Sequence, residues 1–324
     1  MGLNNPFAGL NVLIVGDVMV DAYWHGSVHR ISPEAPVPVV DISGKESRLG
    51  GAANVALNIR SMQASPFLCT VIGEDEAGET FLKLCRESGM PVDGIIQRKN
   101  RPTTVKTRIM GNQQQLMRLD EEQTQPIDAD TSKELEQRFL NLLPKAQVVI
   151  FEDYDKGVLH PGIINQLIKH CQERGIPTTV DPKKVNFNAF HGVSLFKPNW
   201  KELRDGLHLN QSEVTLEGLK GAAEQLRREQ GIERLFITLS EKGVFFDDGT
   251  TAHLIPAHIR KIVDVSGAGD TVISIASLAL ALGWESEKIA RISNLAGGLV
   301  CEEVGVVPIS MEKLFEEAVE LNIH

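Results

Sequence analysis

Short continuous apolar runs alternate along the chain with longer stretches in which apolar residues recur every three or four positions. Val12, Leu13, Ile14 and Val15 form the first run, and residues 67–72, 148–151, 178–180 and 235–239 form others. Between them, residues 52–62, 77–88, 162–174 and 215–230 carry helical periodicity, and the apolar stretch 272–282 is also helix-like. Uninterrupted apolar runs suit strands buried on both faces, and strands alternating with helices imply a mostly parallel sheet covered on both sides. The pattern predicts an α/β, doubly wound fold with its functional groups at the carboxyl ends of the strands.

Two segments keep a different rhythm. Residues 36–48 and 92–119 alternate apolar and polar side chains with period two, as strands with one wet face do. They come from separate insertions, about 17–48 and 92–120. They therefore predict a small β-sheet lid over the strand ends, within a single domain spanning 1–324, and a lid of that kind excludes water.

Composition removes several function classes. Basic residues number 33 against 43 acidic ones, a net charge of −10, which argues against nucleic acid and against an anionic membrane surface as partners. Cys69, Cys85, Cys171 and Cys301 lie far apart without zinc-ligand spacing, which fits reduced thiols in a cytoplasm. The run at 272–282 falls short of the roughly 20 residues a bilayer requires. The N-terminus lacks a charged start and apolar core of the signal-peptide kind, and Pro6 spoils a myristoylation reading of Gly2. The expected location is cytoplasmic.

The chemistry concentrates at two glycine-rich helix starts. Residues 264–271 read Asp-Val-Ser-Gly-Ala-Gly-Asp-Thr, immediately before the apolar helix. Small residues there bare backbone N–H groups at the positive end of a helix dipole, where phosphate binds. Asp270 is the carboxylate in that nest. Beside an anion hole it would repel phosphate, so its suited role is to take a proton from an attacking hydroxyl. Taken alone, the octapeptide is also compatible with an ordinary capped helix after a glycine turn. Gly50 and Gly51 open the other helix, followed by Asn54, which offers both a donor and an acceptor to a hydroxylated ligand. Asp17 and Asp21 lie just beyond the first strand, placed to grip sugar hydroxyls, bind a metal or make an Asx turn.

Residues 50–56 and 264–271 resemble, in order and separation, the two signatures of the ribokinase-like (PfkB) carbohydrate kinases, and the alternating pattern extends the likeness over essentially the whole chain. The resemblance implies ATP-dependent phosphorylation, with Asp270 as catalytic base and Gly267, Ala268 and Gly269 as the anion hole. It further implies that Asn199 and Glu202 organise Mg²⁺ through water, and that Thr238, Ser240 and Gly243 contact the nucleotide. Lys183 would offset charge near the ATP phosphates, and Asn294 would lie near the adenine or ribose. Some members hold a monovalent cation such as K⁺ around positions corresponding to Asp264 and Ser266, which the sequence leaves undecided.

Residues 29–40, 112–120 and 153–157 carry a narrower likeness to the heptose 7-phosphate kinases of that family, which act alone or as the first half of a bifunctional lipopolysaccharide-precursor enzyme. That likeness implies D-glycero-β-D-manno-heptose 7-phosphate, phosphorylated at O1, as substrate. Asp17, Asp21, Asp153, Gly50, Gly51 and Asn54 would hold the sugar, and Arg30, Arg108 and Arg118, with Lys106, would capture its phosphate. Arginine suits bidentate phosphate binding, although charged residues on a wet strand face are also simply solvated. Glu152 departs from the pattern, where a small residue precedes the Asp-Tyr pair. No His-x-Gly-His nucleotidyltransferase signature occurs in the chain. The open edge of the lid predicts a homodimer. The alternatives are another sugar or nucleoside kinase of this fold, or a catalytically silent sugar-binding protein.

Overall fold

A computed structural model describes residues 5–112, 114–209 and 214–323. Gln113 of the 112–120 likeness and Gly2 lie outside them. The first half contains β1 (Asn11–Gly16), β2 (Val18–Ile31), β3 (Pro38–Gly51), α1 (Ala52–Ser61), β4 (Ser65–Gly73), α2 (Glu76–Glu87), β5 (Ile95–Arg98), β6 (Val105–Gly111), β7 (Gln114–Glu121) and α3 (Ala129–Leu142). Next come β8 (Val148–Glu152), α4 (Pro161–Glu173), β9 (Thr178–Asp181), β10 (Leu195–Phe196), α5 (Trp200–Gly206), α6 (Leu216–Gln230) and β11 (Arg234–Thr238). The chain then forms β12 (Val244–Asp247), β13 (Ala252–Ile255), α7 (Ala268–Ala281), α8 (Ser286–Val300) and α9 (Met311–Glu320).

The main sheet has nine strands in the order β13-β12-β11-β10-β9-β8-β1-β4-β5. Its pairs are parallel except along the β11-β12-β13 edge, which is antiparallel. Alternation along β1 divides the core: Val12 and Ile14 pack with Val55 of α1, Ile273 of α7 and Ile292 of α8, while Leu13 and Val15 pack with Phe139 of α3, Ile163 of α4 and Leu219 of α6. Helix α7 is buried at every position from Asp270 to Ala279, as its nearly uninterrupted apolar sequence requires. No helix among the described residues is long and apolar enough to cross a membrane.

The second sheet has four strands, β3-β2-β6-β7. The sequence placed Ile95–Arg98 within a lid segment, but β5 instead pairs with β4 at the edge of the main sheet. Ile95 and Ile96 are both buried, so this strand has no wet face. Connections from β1 run to β4 on one side while β8 lies on the other, which makes the β1/β8 boundary the switch point where a crevice opens at the strand ends. Asp17 follows β1 there, Glu152 and Asp153 lie at the end of β8, and Asp181 ends β9.

Candidate active site

Asp270 occupies the first turn of α7, whose N-cap is Gly267 in the left-handed region at φ 80°. That helix end has no side-chain cap; the Ala268 N–H turns back to the Val265 carbonyl at 3.3 Å, so the expected donor set narrows to the N–H groups of Gly269 and Asp270. A Cβ placed on Gly269 would meet nothing nearer than Asp181 Oδ2 and Lys197 Nζ, both at 3.7 Å. The glycine therefore leaves space over backbone donors, beside two charged groups.

The carboxylate of Asp270 is held from two sides. Asn54 Nδ2 donates to Oδ2 at 2.7 Å, and the Tyr154 hydroxyl donates to Oδ1 at 2.7 Å. Burial is the largest influence on Asp270 and raises its pKa; the two hydrogen bonds pull it down, and the negative charge of Asp181 raises it again. Behind Asn54, Asn58 donates to the Asn54 carbonyl and accepts from Thr271 Oγ1 and the Ile309 N–H, which fixes α1 against α7. Nothing in the local sequence singles out Tyr154 or Asn58 for these roles, because their partners lie far along the chain.

Asp17 and Asp21 have separate tasks. Asp17, expected to hold sugar, accepts the backbone N–H groups of Tyr154, Lys156 and Val158 at 2.9 to 3.0 Å. Both of its oxygens are committed to shaping the loop that delivers Tyr154 to Asp270. Asp153 is likewise internal, accepting from the Asp155 N–H and from Asn186 Nδ2, and burial raises its pKa to about 7. Asp21 instead faces the lid and pairs with Arg108 of β6. A Cβ on Gly50 would stand 2.2 Å from Asp21 Oδ2, so the glycine pair is needed for this close approach.

The lid cations do not converge as a group. Strand pairing places Asp21, Arg48, Lys106 and Asp120 in one row and Tyr23, Glu46, Arg108 and Arg118 in the next, all on one face. Lys106 pairs with Asp120 and Glu122, and Arg118 pairs with Asp120. Arg30 lies exposed near the far end of β2, beyond two bulges. Arg48, which pairs with Glu46, and Arg108, which pairs with Asp21, also have acidic partners, but both flank the Tyr23 ring, with their guanidinium carbons 5.1 and 5.2 Å from its centroid. A Cβ on Gly305 would approach Arg48 Nη1 to 3.0 Å, and the Gly305 N–H is itself held by Asp264. These contacts bring Arg48 to the loop between α8 and α9, which Asp264 ties to the glycine-rich loop that precedes α7. Arg48 was not among the sequence-derived candidates; its register opposite Asp21 becomes visible only once β2 and β3 pair.

On the other side of Asp270, a chain of ion pairs leads outward. Lys197 Nζ lies 2.9 Å from Asp181, Lys183 lies 3.4 Å from Asp181 and 2.7 Å from Glu202. Burial opposes the Lys183 ammonium, but Asp181 and Glu202 outweigh it and hold its pKa above the usual lysine value. Asn199 and Glu202 form a capping box on α5: Asn199 Oδ1 accepts the Glu202 N–H, and Glu202 Oε2 accepts the Asn199 N–H. Asn199 bridges to Thr238, and Ser240 and Gly243 bound the turn after β11. Asn294 donates to the Pro256 carbonyl. Asp264 binds the Ser266 and Gly305 N–H groups, so its side chain orders the loop around the carbonyls expected to face a cation.

The sequence profile of the pfkB family carbohydrate kinases matches residues 10–314. The chain belongs to this family. It is 38% identical over 308 residues to the Bifunctional protein HldE of Mesorhizobium japonicum, covering 95% of this chain and 62% of that protein. It is 41% identical over 319 residues to the Bifunctional protein HldE of Pseudomonas aeruginosa, covering 97% and 65%. The chain thus spans less than two thirds of the length of these relatives. Among solved structures, phosphofructokinase-2 from Escherichia coli in complex with potassium superposes with a TM-score of 0.80 at 19% identity, covering 97% of this chain and 99% of that one. Arabidopsis thaliana ribokinase complexed with ribose and ATP gives 0.74 at 18% identity, covering 95% and 99%.

As a pfkB kinase the chain is an ATP-dependent sugar kinase, and the family uses ATP and Mg²⁺. The residues present fit that requirement: an uncapped helix N-terminus beside a buried carboxylate suits a transferring phosphoryl group, and Glu202 is a hard oxygen ligand on the side of the lysines.

Proposed function

We propose that this kinase phosphorylates a sugar that already carries a phosphate, with D-glycero-β-D-manno-heptose 7-phosphate as substrate and the 1,7-bisphosphate as product, in a cytoplasmic route to lipopolysaccharide precursors. The observation that carries the phosphate requirement is the Arg48–Tyr23–Arg108 stack. Arg48 bonds Glu46 through Nε and Arg108 bonds Asp21 through Nη1, so each guanidinium keeps further N–H donors that a phosphate can accept. The choice of heptose rests on the motif likeness at 29–40, 112–120 and 153–157.

In this reading Asp21, Gly50 and Asn54 hold the sugar so that one hydroxyl reaches Asp270. Asp270 takes its proton as the oxygen attacks the γ-phosphorus of ATP and the bond to the β-phosphate oxygen breaks. The Gly269 N–H and the α7 dipole stabilise the charge on the transferring phosphoryl group, while the Ala268 N–H holds the Val265 carbonyl. Glu202 would hold Mg²⁺, which would supply charge neutralisation on the ATP phosphates. Lys183 balances the same region, Thr238, Ser240, Gly243 and Asn294 line the nucleotide, and carbonyls at Asp264 and Ser266 offer a place for K⁺. Exposed Leu116, Met117 and Leu119 near the β7 edge of the lid favour pairing with a second copy, which sedimentation would detect as a dimer.

The test is ADP release from Mg²⁺-ATP with the heptose 7-phosphate, its unphosphorylated parent, ribose, fructose 6-phosphate and adenosine. Preference for the heptose phosphate, abolished in Asp270→Asn, is the expected result. Turnover of ribose or adenosine alone would discard the phosphate-clamp reading, and absence of turnover on every acceptor would discard the catalytic assignment.

A further inference from the structure

Glu152 has no evident structural reason to be charged. Its side chain is fully buried, and neither carboxylate oxygen has a hydrogen-bond partner among the described residues. It ends β8 in register with Gly16 of β1 and Asp181 of β9, at the switch point of the sheet. One carboxylate oxygen from each of Glu152, Asp181 and Asp270 falls within 4.8 Å of the others. Cations bound by oxygen at about 2.0–2.6 Å bridge pairs of ligands separated by up to about 4–5 Å, so this spacing admits a hard divalent ion.

The surrounding charge points the same way. Facing the cluster are Lys197, paired with Asp181, and Lys183, shared between Asp181 and Glu202; Asn54 and Tyr154 are the neutral donors to Asp270. Burial, and then the charges of Asp181 and Asp270, hold the Glu152 carboxyl well above the usual carboxylate range without a cation; with all four carboxylates ionised against two ammonium groups, the two excess negative charges match one divalent cation. Each Asp270 oxygen accepts one hydrogen bond and each Asp181 oxygen faces one lysine, so both carboxylates retain free lone pairs, and Glu152 retains all of its own.

We infer that Glu152, Asp181 and Asp270 form a divalent-cation site of this chain, separate from the Glu202 position and filled without nucleotide or sugar. Glu152 is its anchor, since Asp181 and Asp270 have other partners. The ion compensates the three buried carboxylates in the nucleotide- and sugar-free protein. This inference does not depend on the identity of the sugar.

Mn²⁺ alone is the probe, titrated into nucleotide-free protein and followed by the EPR signal of the free ion. One ion per chain is expected in the wild type. Loss of an outer-shell partner of a metal typically weakens binding 10- to 100-fold, so removal of a direct ligand in Glu152→Gln should weaken it by at least about tenfold. Glu202→Gln should retain the ion. Glu152→Ser, which restores a small residue at the position, provides the second variant, and circular dichroism establishes that each is folded. An absence of Mn²⁺ binding in the wild type would overturn the inference. So would binding that survives in both Glu152 variants and disappears in Glu202→Gln, because the ion would then belong to the family's nucleotide-side position.

Discussion

Tyr154→Phe isolates the control of Asp270, the proposed base. The hydroxyl donates to Asp270 Oδ1 at 2.7 Å inside a buried site. Burial, and then the charge of Asp270, raises the pKa of Tyr154, so it stays a donor throughout the range in which the enzyme would be assayed. A hydrogen bond to an ionised acceptor contributes about 1.5–3 kcal/mol. It favours the charged form of Asp270, so its removal makes the carboxylate harder to ionise. The consequence depends on pH. On the acid limb of kcat/KM, where only a fraction of Asp270 is ionised, the variant should be about 10- to 100-fold slower, since about 1.4 kcal/mol is a factor of ten. On the alkaline plateau, where Asp270 is ionised in both proteins, the two rates should converge. A phenylalanine ring of nearly the same shape keeps the packing, and the Asn54 bond remains. The assay is kcat/KM for sugar phosphate by coupled ADP release across the pH range. A loss of equal size at every pH, with the acid limb unmoved, would refute the argument, because the hydroxyl would then act on the substrate and not on the ionisation of Asp270.

Three further outcomes follow from the geometry. Gly269→Ala should fold normally, because its Cβ meets nothing nearer than 3.7 Å, yet lose about 10²–10³ in kcat by crowding the N–H groups offered to the phosphoryl oxygen; thermal denaturation and turnover measure the two separately. Arg48→Ala and Arg108→Ala should each raise KM for the sugar phosphate at least about tenfold through loss of a charge-assisted contact, whereas Arg30→Ala and Arg118→Ala should leave it nearly unchanged; equal effects at all four positions would count against the Tyr23 stack. Asp153 predicts a stability trend with pH. Burial raises its folded pKa to about 7 from an ordinary 3.8, so the folded state holds a proton that the unfolded chain has released. Its stabilising contribution is complete below pH 3.8 and disappears as pH rises to about 7, a loss of up to about 4 kcal/mol. Urea denaturation at pH 5 and pH 8 should show the decline, and a smaller decline in Asp153→Asn.

The elements that the sequence reveals are those whose cause is local. Val12 to Val15 must be buried on both faces, and the glycines before Asn54 and Asp270 declare backbone geometry within a few residues, so the sheet, the helix starts and the carboxylate at the start of α7 were all legible. Alternation also marked the lid. Helices α3, α8 and α9 and the β12–β13 hairpin were not read from the pattern. Short β12 and the two-residue β10 offer too few positions to display a period, and their place is set by pairing with β11.

The site residues misread or missed share a different cause: their role depends on which distant group uses the side chain. Asp17 and Asp21 look alike in the sequence, but β1 ends before one and β2 carries the other into the lid, so loop N–H groups more than a hundred residues away claim the first. Lys106, Arg108 and Arg118 look equally capable of holding phosphate in the sequence, and all three acquire acidic partners on folding; what separates Arg108 is its place on the Tyr23 ring beside Arg48. Lys197 follows a two-residue strand and is almost wholly buried, although a lone lysine beside Pro198 gives no periodic signal. Charge alone therefore marks candidates, and what surrounds each decides among them. Acidic partners pair with Arg48, Lys106, Arg108 and Arg118 alike, so position beside Tyr23 and not free charge sets Arg48 and Arg108 apart. Where carboxylates outnumber the ammonium groups, as around Glu152, the unmatched charge instead calls for a cation.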